Sequence, residues 1–408
     1  MTVPLFPLHL DLRGRRVVVV GGGAVALRRA SALSAAGAAV VVVAPDVVEG
    51  MPGEVLRRPF RPTDVGGAWL VVAATGVVDA VVAEVCEAYG TWCVRADDAA
   101  RSRAWVPAVA RVDDVVVSIT AGRDPRRAVA LRDAVALALQ VGDLPLRRGR
   151  PGRGSVALVG GGPGDPDLIT ARGRRLLAGA DVVVRDRLAP AVAVADGVEV
   201  VEVGKTPGGP SWAQGEIEAL LVERAGRGLR VVRLKGGDVH VFARGIEEVS
   251  ACVAAGVPVE VVPGVSAALA VPTLAGIPVT ARGVTQSFCV VSAHLSPGDP
   301  GSTVDWDALA RLGGTLVLLM AVERLGEVAE ALVAGGRSPD TAVAVIQDGS
   351  LATQRTVVST LARAATDAAG LRAPAVVVVG EVVGRRITVP GAGAEGGLGA
   401  TYDSDPTG

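Results

Sequence analysis

The sequence predicts an α/β protein built from two domains. Three observations carry that reading. Short Val-rich runs alternate with helical stretches along the chain, the pattern of βαβ units with buried parallel strands. Two of these runs, beginning at Val17 and Val156, end abruptly in glycines, as a strand does when it delivers a loop to the carboxyl edge of a sheet. Between them, residues 142–154 are rich in Arg, Gly and Pro and read as a flexible basic linker. A length of 408 residues suits two or three domains.

Composition narrows the function classes. Half the residues are hydrophobic but only 3% are aromatic, and no apolar run approaches the ~18 residues of a membrane helix. The opening Met1–Asp11 has no basic segment followed by an apolar core, so no signal peptide is expected. A net charge of −1 gives no electrostatic case for nucleic acid. Cys86, Cys93, Cys252 and Cys289 are scattered without CxxC or zinc spacing, which fits reduced thiols and a cytoplasmic protein. With three scattered histidines, a permanent His/Cys metal cage is not expected.

In the first half, Val17-Val-Val-Val-Gly-Gly-Gly-Ala-Val-Ala26 reads as strand, glycine turn and helix start. Gly21, Gly23 and Ala26 fit G-x-G-x-x-A, where small residues let the backbone approach a pyrophosphate seated on the helix N-terminus. The helix is expected from about Val25 to Ala36, ending at Gly37, with a second strand at Val40–Ala44. The acidic residue expected to hold the ribose is replaced by Ala44-Pro45, with Asp46 just beyond. The alternative is a Rossmann-like turn with no ligand. Further strands are read at 69–75, 92–98 and 115–119, and helices at 80–89 and 126–139. Asp97-Asp98 ends one of these strands and reads either as a cap or turn or as a carboxylate facing a cofactor.

The second half opens on Val156-Ala-Leu-Val-Gly-Gly-Gly-Pro-Gly-Asp-Pro-Asp167, and its prolines set this loop apart from a dinucleotide loop. Pro163 and Pro166 withdraw N–H donors, so no helix is expected before about Leu168. Strands then end in Asp186-Arg187-Leu188, in Gly204-Lys205, in Lys235-Gly-Gly-Asp238 and in Pro263-Gly-Val-Ser266. Five strand-end loops carrying Gly, Asp, Lys or Ser describe a lined cleft. Strands at 315–320, 342–346 and 375–380 follow, and the Gly-rich residues 391–408 read as a disordered tail.

At these residues the second half resembles the uroporphyrinogen-III C-methyltransferase family, from about Ser155 to Thr388. The matching segments are Gly-Gly-Gly-Pro-Gly-Asp (160–165), Asp-Arg-Leu (186–188), Gly-Lys (204–205), Val-Arg-Leu-Lys-Gly-Gly-Asp (232–238), Val-Pro-Gly-Val-Ser (262–266) and Ala-Gly-Ile-Pro-Val-Thr (275–280). The first half is similar to the precorrin-2 dehydrogenase/ferrochelatase module, and together they resemble the siroheme synthase family, which fuses the two.

The resemblance implies a Rossmann-like NAD-binding domain (1–113), a short strand–helix dimerisation segment (114–141), the linker, a two-lobed α/β tetrapyrrole methyltransferase domain (155–390) and the tail. It implies an S-adenosylmethionine pocket lined by Pro163, Gly236, Gly237, Asp238, Val241, Ser266, Ala267, Met320 and Gly349. Asp186 is implied as proton acceptor and Lys205 as proton donor; a structural ion pair of Asp186 with Arg187 or Lys205 is the alternative. NAD is placed at Ala24, Val25, Pro45 and Asp46, beside Gly21 and Gly23. Asp97 falls in the dehydrogenase and chelatase site, with ferrous iron as a substrate. Arg187, Arg233 and Arg244 are candidates for gripping substrate carboxylates. The expected partner is a small tetrapyrrole, and the expected assembly a homodimer. The chain departs from the family pattern at Arg185, at Thr280-Ala-Arg282 and at Gly237-Asp-Val239, and its helical region after Ser118 is short. That short region leaves open a methyltransferase with a non-catalytic first half.

Overall fold

A computed structural model describes residues 6–98, 101–122, 124–147, 152–204 and 212–387. The chain divides into two compact units, residues 1–137 and 138–408.

The first unit contains β1 (Arg16–Val20), α1 (Ala24–Ala35), β2 (Ala39–Val43), β3 (Glu54–Leu56), β4 (Leu70–Ala73), α2 (Asp79–Ala88) and β5 (Trp92–Arg95). Its five strands run parallel in the order β3-β2-β1-β4-β5. The Val runs are continuous because both faces are buried. Val17, Val19, Val40 and Val42 pack with Ala26 and Ala30 of α1, while Val18, Val20, Val41 and Val43 pack with Val82 and Cys86 of α2. Strand order reverses at β1, and the crevice at such a switch point is where open α/β sheets take ligands. The hairpin β6 (Ala108–Val112) and β7 (Val115–Ile119) and helix α3 (Pro125–Val141) follow. The hairpin straddles position 113, so β7 pairs with a strand inside residues 1–113.

The second unit holds two five-stranded sheets. The first lobe comprises β8 (Ser155–Gly160), α4 (Ala171–Ala178), β9 (Val182–Arg185), β10 (Glu199–Glu202), α5 (Gln214–Gly226), β11 (Arg230–Lys235), α6 (Gly245–Ala254) and β12 (Val259–Val262). Its strands are parallel in the order β10-β9-β11-β8-β12. Helix α7 (Ala267–Leu274) leads into the second lobe: β13 (Phe288–Ser292), α8 (Trp306–Arg311), β14 (Thr315–Leu319), α9 (Leu325–Ala334), β15 (Ala342–Gln347), β16 (Arg355–Thr360), α10 (Ala364–Asp367) and β17 (Ala375–Val379). Here β13 and β14 are parallel and the other pairings antiparallel, in the order β13-β14-β17-β15-β16. Ala268 and Val271 of α7 are buried among Val317, Ile346 and Val376. The helix therefore starts at the loop edge of one sheet and anchors on the other. The tail at 391–408 lies outside the described residues. Among those described, no helix is long and apolar enough to cross a membrane.

Candidate functional site

The glycine loop after β8 is pressed against two neighbouring loops. Gly162 and Gly237 exchange backbone hydrogen bonds, with N···O distances of 3.2 and 2.6 Å. A Cβ on Gly160 would lie 2.5 Å from Gly264 N and 2.8 Å from Gly237 O, so only glycine lets these three loops meet. Asp238 braces the same junction: one carboxylate oxygen accepts from His240 N at 2.9 Å and the other from Gly264 N at 3.0 Å. Ser266 caps α7 by accepting from Ala268 N.

The second lobe closes the rim. Asp165 N donates to Ser350 Oγ at 3.0 Å, across 185 residues of chain. A Cβ on Gly349 would sit 2.4 Å from Cγ1 of Val271, so α7 and the loop after β15 pack as tightly as their atoms allow. The structure thus brings Pro163, Gly236, Gly237, Asp238, Ser266, Ala267 and Gly349 to one edge. Met320, at the end of β14, lines a cavity of about 720 Å³ with His240, Phe242 to Ile246, Ser292 and His294. Val241 lies between two of those lining residues. Among the described residues, six non-glycines have positive φ. Five of them, Phe242, Arg244, Met320, Asp348 and Ser350, sit on these loops, and the sixth, Asp113, turns the β6–β7 hairpin. Sparsely populated backbone conformations of this kind persist where surrounding structure over-determines them, often at ligand sites.

Asp186 follows β9 and is tied to β11. Its Oδ1 accepts from Arg233 Nη2 at 2.5 Å, and its Oδ2 lies 3.7 Å from Lys235 Nζ. Both cations are also held by Glu248 on α6: Oε1 accepts from Arg233 Nε at 3.1 Å and from Lys235 Nζ at 2.9 Å. Arg233, Lys235 and Glu248 are buried, and Asp186 is the partly exposed member. The ion-pair partners of Asp186 are therefore Arg233 and Lys235, rather than Arg187. Arg233, read from sequence as a grip for substrate carboxylates, is 1% exposed and fully engaged, so that reading is corrected. Arg244 does line the cavity, paired to Glu247 at 2.6 Å. Arg187 is exposed, and its backbone lies against Gly204. Lys205 lies outside the described residues. Arg185 donates from Nε to Glu202 at 2.9 Å across the β9–β10 pair.

Sequence reasoning missed Glu248, though a signal was present. Arg233 and Lys235 flank Leu234 at the carboxyl end of a buried strand, so both side chains leave one face of the sheet and need anions there.

In the first unit, Gly21 has φ of +132° and a Cβ on it would lie 2.4 Å from Ala74 O. A Cβ on Gly22 would lie 1.8 Å from Asp46 O, and Val48 N donates to Gly22 O at 2.9 Å. The loop after β2 is therefore clamped onto the glycine turn, which puts Pro45 and Asp46 beside Gly21–Gly23. A Cβ on Gly23 would meet nothing within 4 Å, and α1 begins with no side-chain cap. Open space above uncapped amides of Ala24 and Val25 suits an incoming phosphate group. Asp97 lies two residues beyond β5 and is forked by Arg95, at 3.0 and 2.7 Å. The Arg95 guanidinium, by hydrogen bond and charge, holds the Asp97 carboxyl below its usual range. Among the described residues, no cluster of three or more His, Cys, Asp or Glu could hold a metal ion.

Comparison with known proteins agrees with this two-part architecture. The family model "Tetrapyrrole (Corrin/Porphyrin) Methylases" matches residues 155–365, just over half of the chain. A second, described as "Putative NAD(P)-binding", matches residues 8–108. The chain is 48% identical over 236 residues to an S-adenosyl-L-methionine-dependent uroporphyrinogen III methyltransferase of Methanosarcina barkeri, covering 56% of this chain and 92% of that one. It is 43% identical over 241 residues to a siroheme synthase of Methylobacillus flagellatus, covering 58% of this chain and 51% of that one. The chain thus spans about half the length of that siroheme synthase. Among solved structures, uroporphyrin III C-methyl transferase from Thermus thermophilus matches at 42% identity and a TM-score of 0.50, over 57% of this chain and 100% of that one. The chain belongs to the tetrapyrrole (corrin/porphyrin) methylase family.

Proposed function

We propose that the chain makes sirohydrochlorin from uroporphyrinogen III in two sites. The second unit methylates C2 and C7 to give precorrin-2, and the first oxidises precorrin-2 with NAD and takes ferrous iron as a further substrate. One observation carries the reading: the loops after β8, β11, β12 and β15 meet at one rim, beside a large cavity and near the one partly exposed carboxylate of a buried ion cluster.

S-adenosylmethionine fits that rim because the glycines allow close backbone approach and few charges intrude. Pro163, Gly236, Gly237, Asp238, Val241, Ser266, Ala267, Met320 and Gly349 would hold it. When bound it supplies a methyl group already activated by positive sulfur. As a pyrrole carbon bonds to that methyl the S–CH3 bond would break, S-adenosylhomocysteine would leave, and the ring would shed its positive charge as one proton. Asp186 would accept that proton, and Lys205 would donate one at one position of the macrocycle as another leaves elsewhere, a tautomerisation that is neutral overall. Arg244 and Arg187 would meet carboxylates of the substrate.

NAD fits the glycine turn, held by Gly21, Gly23, Ala24, Val25, Pro45 and Asp46. When bound it accepts a hydride. Asp97 takes the accompanying proton, and protons leaving the ring nitrogens when iron enters. The reduced cysteines support a cytoplasmic setting. Exposed Val116, Val129, Leu131 and Leu137 on β7 and α3 support a homodimer.

A second reading, a methyltransferase with a non-catalytic first unit, draws on the Arg95 fork, which makes Asp97 a weak base. An anaerobic assay with uroporphyrinogen III and S-adenosylmethionine, with and without NAD, separates them by product mass and absorption. Methylated product that becomes sirohydrochlorin only with NAD supports the two-site reading, and a further shift on adding ferrous iron above the enzyme-free rate supports chelation. Methylated product that NAD leaves untouched supports the second reading.

A further inference from the structure

We propose that Glu248 is a positioning residue for methyl transfer, setting the orientation of Asp186 through the two cations they share. The inference rests on the reading of Asp186 as proton acceptor.

The cluster has a definite order. Glu248, on α6, is 0% exposed and forms its inner end. Arg233 and Lys235, alternate residues of β11, form the middle, while Leu234 between them packs into the opposite face of the sheet. Asp186 forms the outer end, its side chain 30% exposed. Two anions and two cations balance. Arg233 is fixed at three points: its Nε on Glu248, its Nη1 on Val184 O at 3.4 Å and its Nη2 on Asp186. Lys235 Nζ is 2.9 Å from Glu248 but 3.7 Å from Asp186, so the lysine is drawn inward.

That asymmetry matters for proton transfer. A carboxylate held through both oxygens by two cations cannot turn freely towards a substrate. Glu248 takes most of the lysine and one edge of the guanidinium, leaving Asp186 one strong partner. Without the negative charge of Glu248, Asp186 alone faces both cations. Other charged groups nearby are Arg244 and Glu247, which pair with each other at the start of α6, and Glu218 of α5.

The test compares Glu248→Gln, Lys235→Met and the double variant in the full chain. Glu248→Gln keeps shape and one acceptor oxygen while removing the charge. Its kcat for methylation should fall on the order of 10²-fold, the scale of one acid–base group. KM for S-adenosylmethionine and for uroporphyrinogen III should stay within about threefold, because the side chain is buried away from both. NAD-linked oxidation of supplied precorrin-2 serves as the folding control. Glu248→Gln with Lys235→Met restores neutrality and should recover at least about tenfold over Glu248→Gln alone. A purely structural role predicts the opposite, since the second change adds a second defect. Should Glu248→Gln not fold, the double variant is read against the native chain, and should methylate within about tenfold of it. A methylation rate for Glu248→Gln within threefold of native, or a double variant short of the recovery expected against its reference, overturns the proposal. Asp186→Asn separates the two layers: if it methylates normally, the reading of Asp186 fails on its own.

Discussion

The two candidate carboxylates are held in opposite ways. Asp97 is forked by Arg95, two residues earlier on the same strand end, near the surface. Asp186 is wired through Arg233 and Lys235 to Glu248, residues 47 to 62 positions away along the chain, and three of the four members are buried. One setting is local, the other depends on the whole lobe being folded. The same contrast holds for the glycine loops. The turn at 21–23 is clamped on one side and open at Gly23, whereas the loop at 160–164 is enclosed by loops from both lobes. A site built from local contacts tolerates change nearby; a site built from converging elements does not.

That comparison can be broken in several places. The largest effect is expected for Asp186→Ala. Methylation should fall on the order of 10³-fold or more, with NAD-linked oxidation of supplied precorrin-2 unchanged. Asp97→Ala should do the reverse, lowering oxidation by about 10²-fold and sparing methylation. Loss of both activities in either folded variant would falsify the idea of separate sites.

Next come the glycines. Gly160→Ala puts a methyl group 2.5 Å from Gly264 N, and backbone cannot step aside cheaply. It should cost ~2–3 kcal/mol in unfolding free energy, read by denaturant titration. Gly23→Ala meets no atom within 4 Å and should cost less than about 1 kcal/mol, yet weaken NAD binding because the methyl occupies the approach to α1. Equal stability losses at the two positions would contradict the contrast between open and enclosed loops.

The smallest effect is in pH dependence. Arg95 lowers the Asp97 value in the folded chain, so the ion pair stabilises above the unfolded carboxylate value of about 3.9 and is lost as pH falls through the folded one. NAD-linked oxidation should show no acid limb from Asp97 between about pH 5 and 8. In Arg95→Met the limb should move up towards the ordinary value. A limb near neutrality in the native protein would mean that some other group accepts the proton.

Much of this was legible in the sequence, for identifiable reasons. Buried parallel strands must be apolar on both faces, so Val17–Val20 and Val156–Val159 announce themselves, and glycines mark where loops touch. The loop cluster around Gly160, Gly237 and Ser266 was visible because each segment ends a strand. Strands β3, β6, β13 and β16 went unread. β3 is short, and the others carry polar or half-buried residues, such as Arg111 in β6 and the Arg355-Thr-Val-Val-Ser-Thr run of β16. The Glu248 cluster went unread because facing is a property of packing: nothing in sequence says which side of α6 meets β11. The Asp165–Ser350 bond was out of reach for the same reason, since it joins two lobes far apart along the chain.

The most direct test of two independent sites in one chain is complementation. Asp186→Ala and Asp97→Ala proteins are mixed with uroporphyrinogen III, S-adenosylmethionine and NAD under anaerobic conditions, and sirohydrochlorin is followed by absorption. Each variant alone should make little. The mixture should make it readily, because precorrin-2 released by the Asp97→Ala protein is oxidised by the other. A mixture no better than either variant, with both folded and precorrin-2 accumulating, would contradict the account.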